Sequence, residues 1–490
     1  MNSASHHMPL ILSSRRRFAC PQRSEGLEQS EASASAAPTH TDRATVALGH
    51  ANLRWAFVFL WLFTFTVYAR PEDIFPFVAP LHLTLIFGLG ASLMGAGALL
   101  SGAGRVPWTT EIKLVLLLSV WFVAGIPFAF WRSGSLEVLT HVWLKTLLVF
   151  CLLTLTLVTL DRIRALLWAI IVSELLASTF SIFQPSKALW VGERIYGANA
   201  GFLGWNFLGI AAAMTIPYFA AIFITRRSLL STCWLSAAFL SMMWMLVLTA
   251  SRGGFLNVIF SVVLSSLLIL RGSPRGRIAV LGIGMVLFIA TLFAPPVFWD
   301  RLGTLWNSPD TPTYSEQYRS ELEQRAAEES TEGRLELLNR SLRYTLEHPL
   351  FGLGLGNFNL FSGAKDAGDP NAWMGTHNTF TQISSEAGIP AVVIYLTLLV
   401  ATARNMNKIR RIRFQGRDKS DLNVMASATL VSLLSFAFGA CVAHLGYDYY
   451  FFYIVAIACS IGRIAREVCA ATDAAEPVKT SNLQISTALA

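Results

Sequence analysis

Charge is scarce in this sequence. Asp, Glu, Lys and Arg make up 14% of its 490 residues, against about 25% in an ordinary soluble domain. The apolar set reaches 54% and the mean hydropathy is +0.51. Length alone would fit roughly two to four soluble domains, and this composition excludes them. Cysteine is scarce too. Cys151, Cys233, Cys441 and Cys459 lie in apolar stretches while Cys20 and Cys469 flank the hydrophobic region, so no disulfide framework is expected. The absence of any Cys-x-x-Cys pair or His/Cys cluster argues against a structural zinc, and neither metal nor cofactor is expected. Ser14-Arg15-Arg16-Arg17-Phe18 resembles a twin-arginine signal and Ala19-Cys20 a lipoprotein cleavage site, yet Pro21 to Asp42 is polar and supplies no apolar region behind them. Residues 1–50 therefore read as a disordered cytoplasmic tail. The net charge of +8 would suggest a nucleic-acid partner in a soluble protein, but here its distribution belongs to the membrane, and no nucleic acid is expected.

Long apolar runs are plentiful. A hydrocarbon core needs about 20 mostly apolar residues per helix. About twelve stretches qualify, near 54–68, 80–101, 112–131, 142–160, 163–183, 205–225, 232–250, 254–270, 278–296, 386–403, 422–445 and 447–462. The first and last are short. The expected fold is an all-α polytopic membrane protein, with a first bundle of about nine spans over 54–296, one large loop over 297–376, about three further spans over 377–462 and a tail over 463–490.

Lys and Arg distribution sets the expected orientation. With the N-terminus inside, the even-to-odd connections carry Arg105, then Arg162 and Arg164, Arg226 and Arg227, Arg271 with Arg275 and Arg277, the dense run from Arg404 to Lys419, and Arg463 with Arg466. The 297–376 loop instead holds seven Lys and Arg against twelve Asp and Glu, a net charge of −5. It is expected to face outward between spans nine and ten, with both termini cytoplasmic. Within it Leu335, Leu338, Leu342 and Leu346 recur at helical spacing until His348-Pro349. An amphipathic helix of about fifteen residues follows, lying on the outer membrane boundary or on the outer faces of the spans.

Cations on the expected outer side are the first candidates for chemistry. Arg252 sits in Thr249-Ala250-Ser251-Arg252-Gly253-Gly254, the tight turn between spans seven and eight. It either snorkels to lipid headgroups or, with Gly253 and Gly254 exposing backbone amides, binds phosphate at the start of span eight. Arg194 lies in Gly192-Glu193-Arg194-Ile195-Tyr196-Gly197, with Asn206 opening span six; a pair with Glu193 would leave it a solvated loop charge. Arg334 reads alone as a helix-start surface residue. His377, in Gly375-Thr376-His377-Asn378-Thr379-Phe380, precedes Glu386-Ala387-Gly388-Ile389-Pro390. An imidazole can take a proton near neutrality, and the alternative is a plain helix cap. Gly352-Leu353-Gly354-Leu355-Gly356-Asn357 lacks the preceding strand and lysine of a nucleotide fold and reads as a flexible connector. Glu174, Lys145, His444 and Asp448, placed within the spans, are candidate transport groups, but they lie on different spans with no repeated pattern and read as structural polar contacts.

Taken in order, Arg194-x-x-Gly197, Asn206, Ser251-Arg252-Gly253-Gly254, Arg334, Pro349-x-x-Gly352-x-Gly354-x-Gly356-Asn357-Phe358, His377-Asn378 and Glu386-x-Gly388 resemble the O-antigen ligase and polymerase superfamily (WaaL/Wzy type) over residues 55–462. The polar N-terminal extension and the acidic 313–332 segment lie outside the resemblance. It implies a metal-independent, inverting glycosyltransferase on the periplasmic side of a bacterial inner membrane. The donor would be a glycan on undecaprenyl pyrophosphate, and the acceptor lipid A-core, a growing glycan or a protein. By that resemblance His377 and Arg252 are catalytic, while Arg194, Arg334, Asn206, Asn378, Glu386, Gly253 and Gly254 bind substrate or orient the base. Two other classes stand beside it. A transporter should show internal repeats and broken membrane helices, neither of which is visible in the sequence; a scaffold would not need the arginines and histidine.

Overall fold

The computed structural model describes residues 40–475 except 184–189, 192–193, 196–204, 304–330 and the single positions 227, 272, 367, 370, 413, 415 and 416. Among the described residues, eleven helices are long and apolar enough to cross a membrane. They comprise α1 (His40–Ala69), α2 (Leu83–Leu100), α3 (Thr110–Gly125), α4 (Leu144–Thr156), α5 (Leu160–Phe183), α6 (Trp205–Thr225), α7 (Leu229–Thr249), α8 (Arg252–Ser265) and α9 (Pro274–Leu292). After α10 (Thr331–Glu347) and α11 (Phe358–Lys365), the last two of the eleven are α12 (Thr379–Ile409) and α13 (Arg417–Gly439). The expected twelfth is α14 (Tyr449–Ala475), which Tyr449, Tyr450, Arg463 and Arg466 make less apolar. It runs well into the expected C-terminal tail, and α1 likewise begins ten residues inside the expected N-terminal one. Among the described residues the only strand pairing is a two-residue ladder, β1 (Trp190–Val191) antiparallel to β2 (Arg194–Ile195).

Helices of equal hydropathy divide between lipid and core. In the α6 and α13 spans 78% and 72% of residues are buried, whereas in α9 only 11% are. Exposed side chains such as Leu281 and Phe288 on α9 would be a liability in water and suit a hydrocarbon surround. The centre forms where small residues admit close backbones. α6 supplies Ala211, Ala212, Ala213, Ala220 and Ala221, all buried. Its Gly209 meets Gly254 of α8 so closely that a Cβ on Gly209 would stand 2.2 Å from the Gly254 Cα.

α12 is broken, which the sequence reading did not anticipate. Gly388 has φ 84° and ψ 173° and is followed by Pro390. Because Pro390 has no N–H and Gly388 turns away, the carbonyls of Ser385, Glu386 and Ala387 lose their helical donors. Lipid cannot replace these bonds, so protein must. Leu353 N–H donates to Ser385 O at 2.8 Å, Gly354 N–H to Glu386 O at 2.8 Å and Ile389 N–H to Pro349 O at 2.8 Å. Trp121 Nε1 donates to Ala387 O at 3.0 Å. The Gly352–Asn357 segment is thus a fixed plug in the break rather than a flexible connector. Its glycines have φ of 68°, 98° and 70°, open to glycine at little cost. A Cβ on Gly388 would meet Leu350 O at 2.0 Å. Gly388→Ala is therefore expected to abolish accumulation of folded protein, read by detergent size-exclusion and thermal melting; a wild-type melting profile would contradict the plug.

Candidate functional site

His377 stands immediately before the α12 cap. Asn378 Oδ1 accepts the N–H groups of Phe380 and Thr381 at 2.9 and 3.1 Å, satisfying part of the helix N-terminus. His377 itself is left-handed, φ 48°, a conformation that costs a branched-out L-residue roughly 1–2 kcal/mol. Surrounding structure must hold it there. Part of the hold comes from the 440–448 segment after α13. Thr379 N–H donates to Ala440 O at 2.8 Å, Thr379 Oγ1 to Ala443 O at 2.7 Å, and Leu445 N–H to Thr379 Oγ1 at 2.9 Å. Gly446 N–H reaches Gln382 Oε1 at 2.9 Å. His444 and Asp448 thereby lie in this connecting segment, not on the spans the sequence suggested.

Arg252 occupies the first turn of α8, half-buried, behind a Ser251 cap whose Oγ accepts from Gly254 N–H at 3.1 Å. Ala250 before it is also left-handed, φ 47°. The starts of α6, α8 and α12 come together here. Gly209 packs on Gly254, the Phe207 ring lies 5.7 Å from that of His444, and the His444 ring lies 5.4 Å from that of His377. Three helix N-termini with Arg252 among them concentrate positive potential at one end of the bundle. Gly254 has a packing reason for its identity, since α6 leaves no room for a side chain; Gly253 is more open.

Glu386 departs from the expected role of orienting His377. Its carboxylate accepts Gly356 N–H at 2.9 Å, Phe358 N–H at 3.4 Å and Tyr447 Oη–H at 2.7 Å. It anchors the plug in the α12 break, seven residues inside the helix. Asn378 serves as the cap, and its Nδ2 donates to Cys441 O at 3.2 Å. Arg334 lies in the first turn of α10, half-buried. For Arg194 and Asn206 the structure gives only backbone positions, on β2 and at the start of α6; their side chains lie outside the described residues. The acidic segment lies there almost entirely. Sequence reasoning assigned no site role to His444 or Tyr447, because only the fold brings the 440–448 segment to α12. Among the described residues no group of three His, Cys, Asp or Glu side chains is placed to hold a metal ion.

Above this end α10 forms a second layer. Leu335, Leu342 and Leu346 are exposed on one face, while Leu337 and Tyr344 are buried on the other. Thr345 Oγ1 lies 2.8 Å from Ser384 Oγ on α12. Arg340, buried, pairs with Glu336 and Asp369 and donates to Ser362 Oγ at 2.8 Å, clamping α10 to α11 and the following loop. Hydrogen bonding with Glu336 first, then with Asn371 N–H and Arg340, pulls the Asp369 carboxyl down to about 2. A lowered folded pKa contributes stability that is complete above the unfolded value of about 4 and is lost as pH falls through about 2. Resistance of the α10–α11 unit to an acid-active protease should accordingly drop between pH 4 and 2, and Asp369→Asn should remove that pH dependence. An unchanged acid profile in Asp369→Asn would sink this assignment.

Residues 237–396 match a family model described as O-antigen ligase (Wzy_C). The matched segment contains Arg252, Arg334, His377, Asn378 and Glu386 and ends before His444. No curated protein matches the chain. With eleven apolar helices among its described residues this is a polytopic membrane protein, and over residues 237–396 it is similar to the O-antigen ligase family, which supports a place in the O-antigen ligase and polymerase superfamily.

Proposed function

We propose that the protein moves a glycan from undecaprenyl pyrophosphate to an acceptor hydroxyl on the periplasmic face of a bacterial inner membrane, without a metal ion, and acts as a ligase on lipid A-core. The observation that carries this reading is the left-handed His377 held at the start of α12, in the same matched segment as Arg252 at the start of α8. In the reaction the acceptor oxygen bonds to the anomeric carbon as the bond from that carbon to the phosphate oxygen breaks. His377 takes the hydroxyl proton, and undecaprenyl pyrophosphate leaves with the electron pair. A single displacement inverts the anomeric centre. Negative charge grows on the leaving group, and Arg252, with Arg194 and Arg334, neutralises it. The O-antigen ligase description of the matched segment supports a membrane glycosyltransferase of the ligase and polymerase type. A deletion strain tests it: finished chains should accumulate on the lipid carrier above bare core. Single-repeat chains would instead mark a polymerase.

Sidedness is testable with a native residue. Cys441 is exposed and adjoins the α12 cap. A variant keeping it as the sole cysteine should react with a membrane-impermeant maleimide from the periplasm, and one carrying only Arg411→Cys should not. Reversed labelling would put the site on the cytoplasmic face and remove the donor assignment.

A further inference from the structure

His444 Nδ1 is buried and has no hydrogen-bond partner among the described residues. A buried ring nitrogen without a partner costs free energy that a phenylalanine of similar shape would avoid. The ring is nonetheless tightly placed. It stands at 77° to the His377 ring with centroids 5.4 Å apart, and at 89° to Phe207 at 5.7 Å. From a third side Gly375 leaves just enough space, since a Cβ there would come 3.1 Å from Cε1, 3.2 Å from Nδ1 and 3.4 Å from Nε2. The bonds from Thr379 to Ala440 O, Ala443 O and Leu445 N–H fasten the segment that carries it to the first turn of α12. His377 and His444 therefore move as one unit.

We propose that His444 is the positioning residue for His377, fixing the left-handed imidazole in place and bearing, as a neutral ring, against the imidazolium formed when His377 takes the acceptor's proton. The proposal rests on the reading of His377 as that base. Burial holds the His444 pKa below the ordinary histidine value, so it does not charge alongside its neighbour. The titratable group facing it from the 375–377 segment is His377; α6 presents Phe207, and α12 anchors its segment through Thr379 and Gln382, none of which titrates near neutrality. A neutral polar ring beside a forming cation favours the cation, so His444 raises the His377 pKa and its removal lowers it.

The test uses the purified full-length protein in nanodiscs, a polyprenyl-pyrophosphate-linked oligosaccharide and a sugar acceptor, with kcat, donor KM and melting temperature followed across pH. His444→Phe keeps the ring's shape, so melting should stay at the wild-type value. Its kcat should fall roughly 10- to 100-fold with donor KM unchanged, and the acid limb of the pH profile should move to lower pH. His444→Gln, which restores a polar group, should recover part of kcat, and it serves as the second variant if the Phe form does not fold. Wild-type kcat in His444→Phe would overturn the proposal. So would a loss of rate that tracks melting while the pH profile stays put, because that marks packing alone. His377→Gln runs in parallel: if it is inactive while His444→Phe is normal, the base stands and only the positioning role falls, whereas full activity of His377→Gln removes both.

Discussion

His377→Gln is expected to lower glycan transfer by ~10²- to 10⁴-fold while leaving donor binding intact. Glutamine nearly matches imidazole in size and keeps a hydrogen-bonding group, but it cannot accept a proton from a hydroxyl. The left-handed conformation at φ 48° belongs to the backbone and the cap beside it to the Asn378 side chain, so the α12 start should survive the change. On the proposal that His377 is the base, its neutral imidazole is the active form, so wild-type turnover should fall as pH drops below the His377 pKa in the folded site. Rates measured at saturating donor, with binding followed separately, check both points. Near-normal turnover would leave His377 a structural element, and lost donor binding would move it into the phosphate site.

If Arg252 neutralises the leaving pyrophosphate as proposed, Arg252→Ala should cost most of the transfer, about 10²- to 10³-fold in kcat. Arg252→Lys should recover only part, because a lysine ammonium cannot make the bidentate contact of a guanidinium. Two other contacts hold the α8 start: Ser251 caps the helix and Gly254 seats it on Gly209. Both variants should insert and melt like the wild type. Full activity of Arg252→Ala in purified membranes would assign the residue to lipid headgroups instead.

Local patterns were the legible part of this protein. The spacing of Leu335, Leu338, Leu342 and Leu346 predicted α10, and the helix found there ends at Glu347, just ahead of His348-Pro349. Runs of apolar residues located most membrane helices to within about six residues, α1, α12 and α14 excepted, because polar extensions continue those three helices beyond the apolar core. Long-range partners were not legible. The Gly352–Asn357 segment looked like a loose connector because the bonds of Leu353, Gly354 and Gly356 go to Ser385 and Glu386, some thirty residues on in the chain. The family resemblance gave Glu386 a substrate-binding or base-orienting role, and the helix carries its carboxylate to Gly356, Phe358 and Tyr447. The break at Gly388 went unseen for the same reason: glycine and proline in an apolar run announce a kink, and only the plug shows that the freed carbonyls are satisfied. It also supplies one of the two features expected of a transporter. Protein backbone and Trp121 fill this break, however, so its freed groups are occupied before any substrate arrives.

The most direct measurement reconstitutes the purified chain with an undecaprenyl-pyrophosphate-linked glycan and lipid A-core in the presence of a metal chelator, and determines product linkage by NMR. Transfer of the intact glycan to the acceptor with inverted anomeric configuration, releasing one undecaprenyl pyrophosphate per glycan, is the expected result. A glycan that stays on its lipid while crossing the vesicle membrane, or transfer that stops on chelation or retains configuration, would contradict the account.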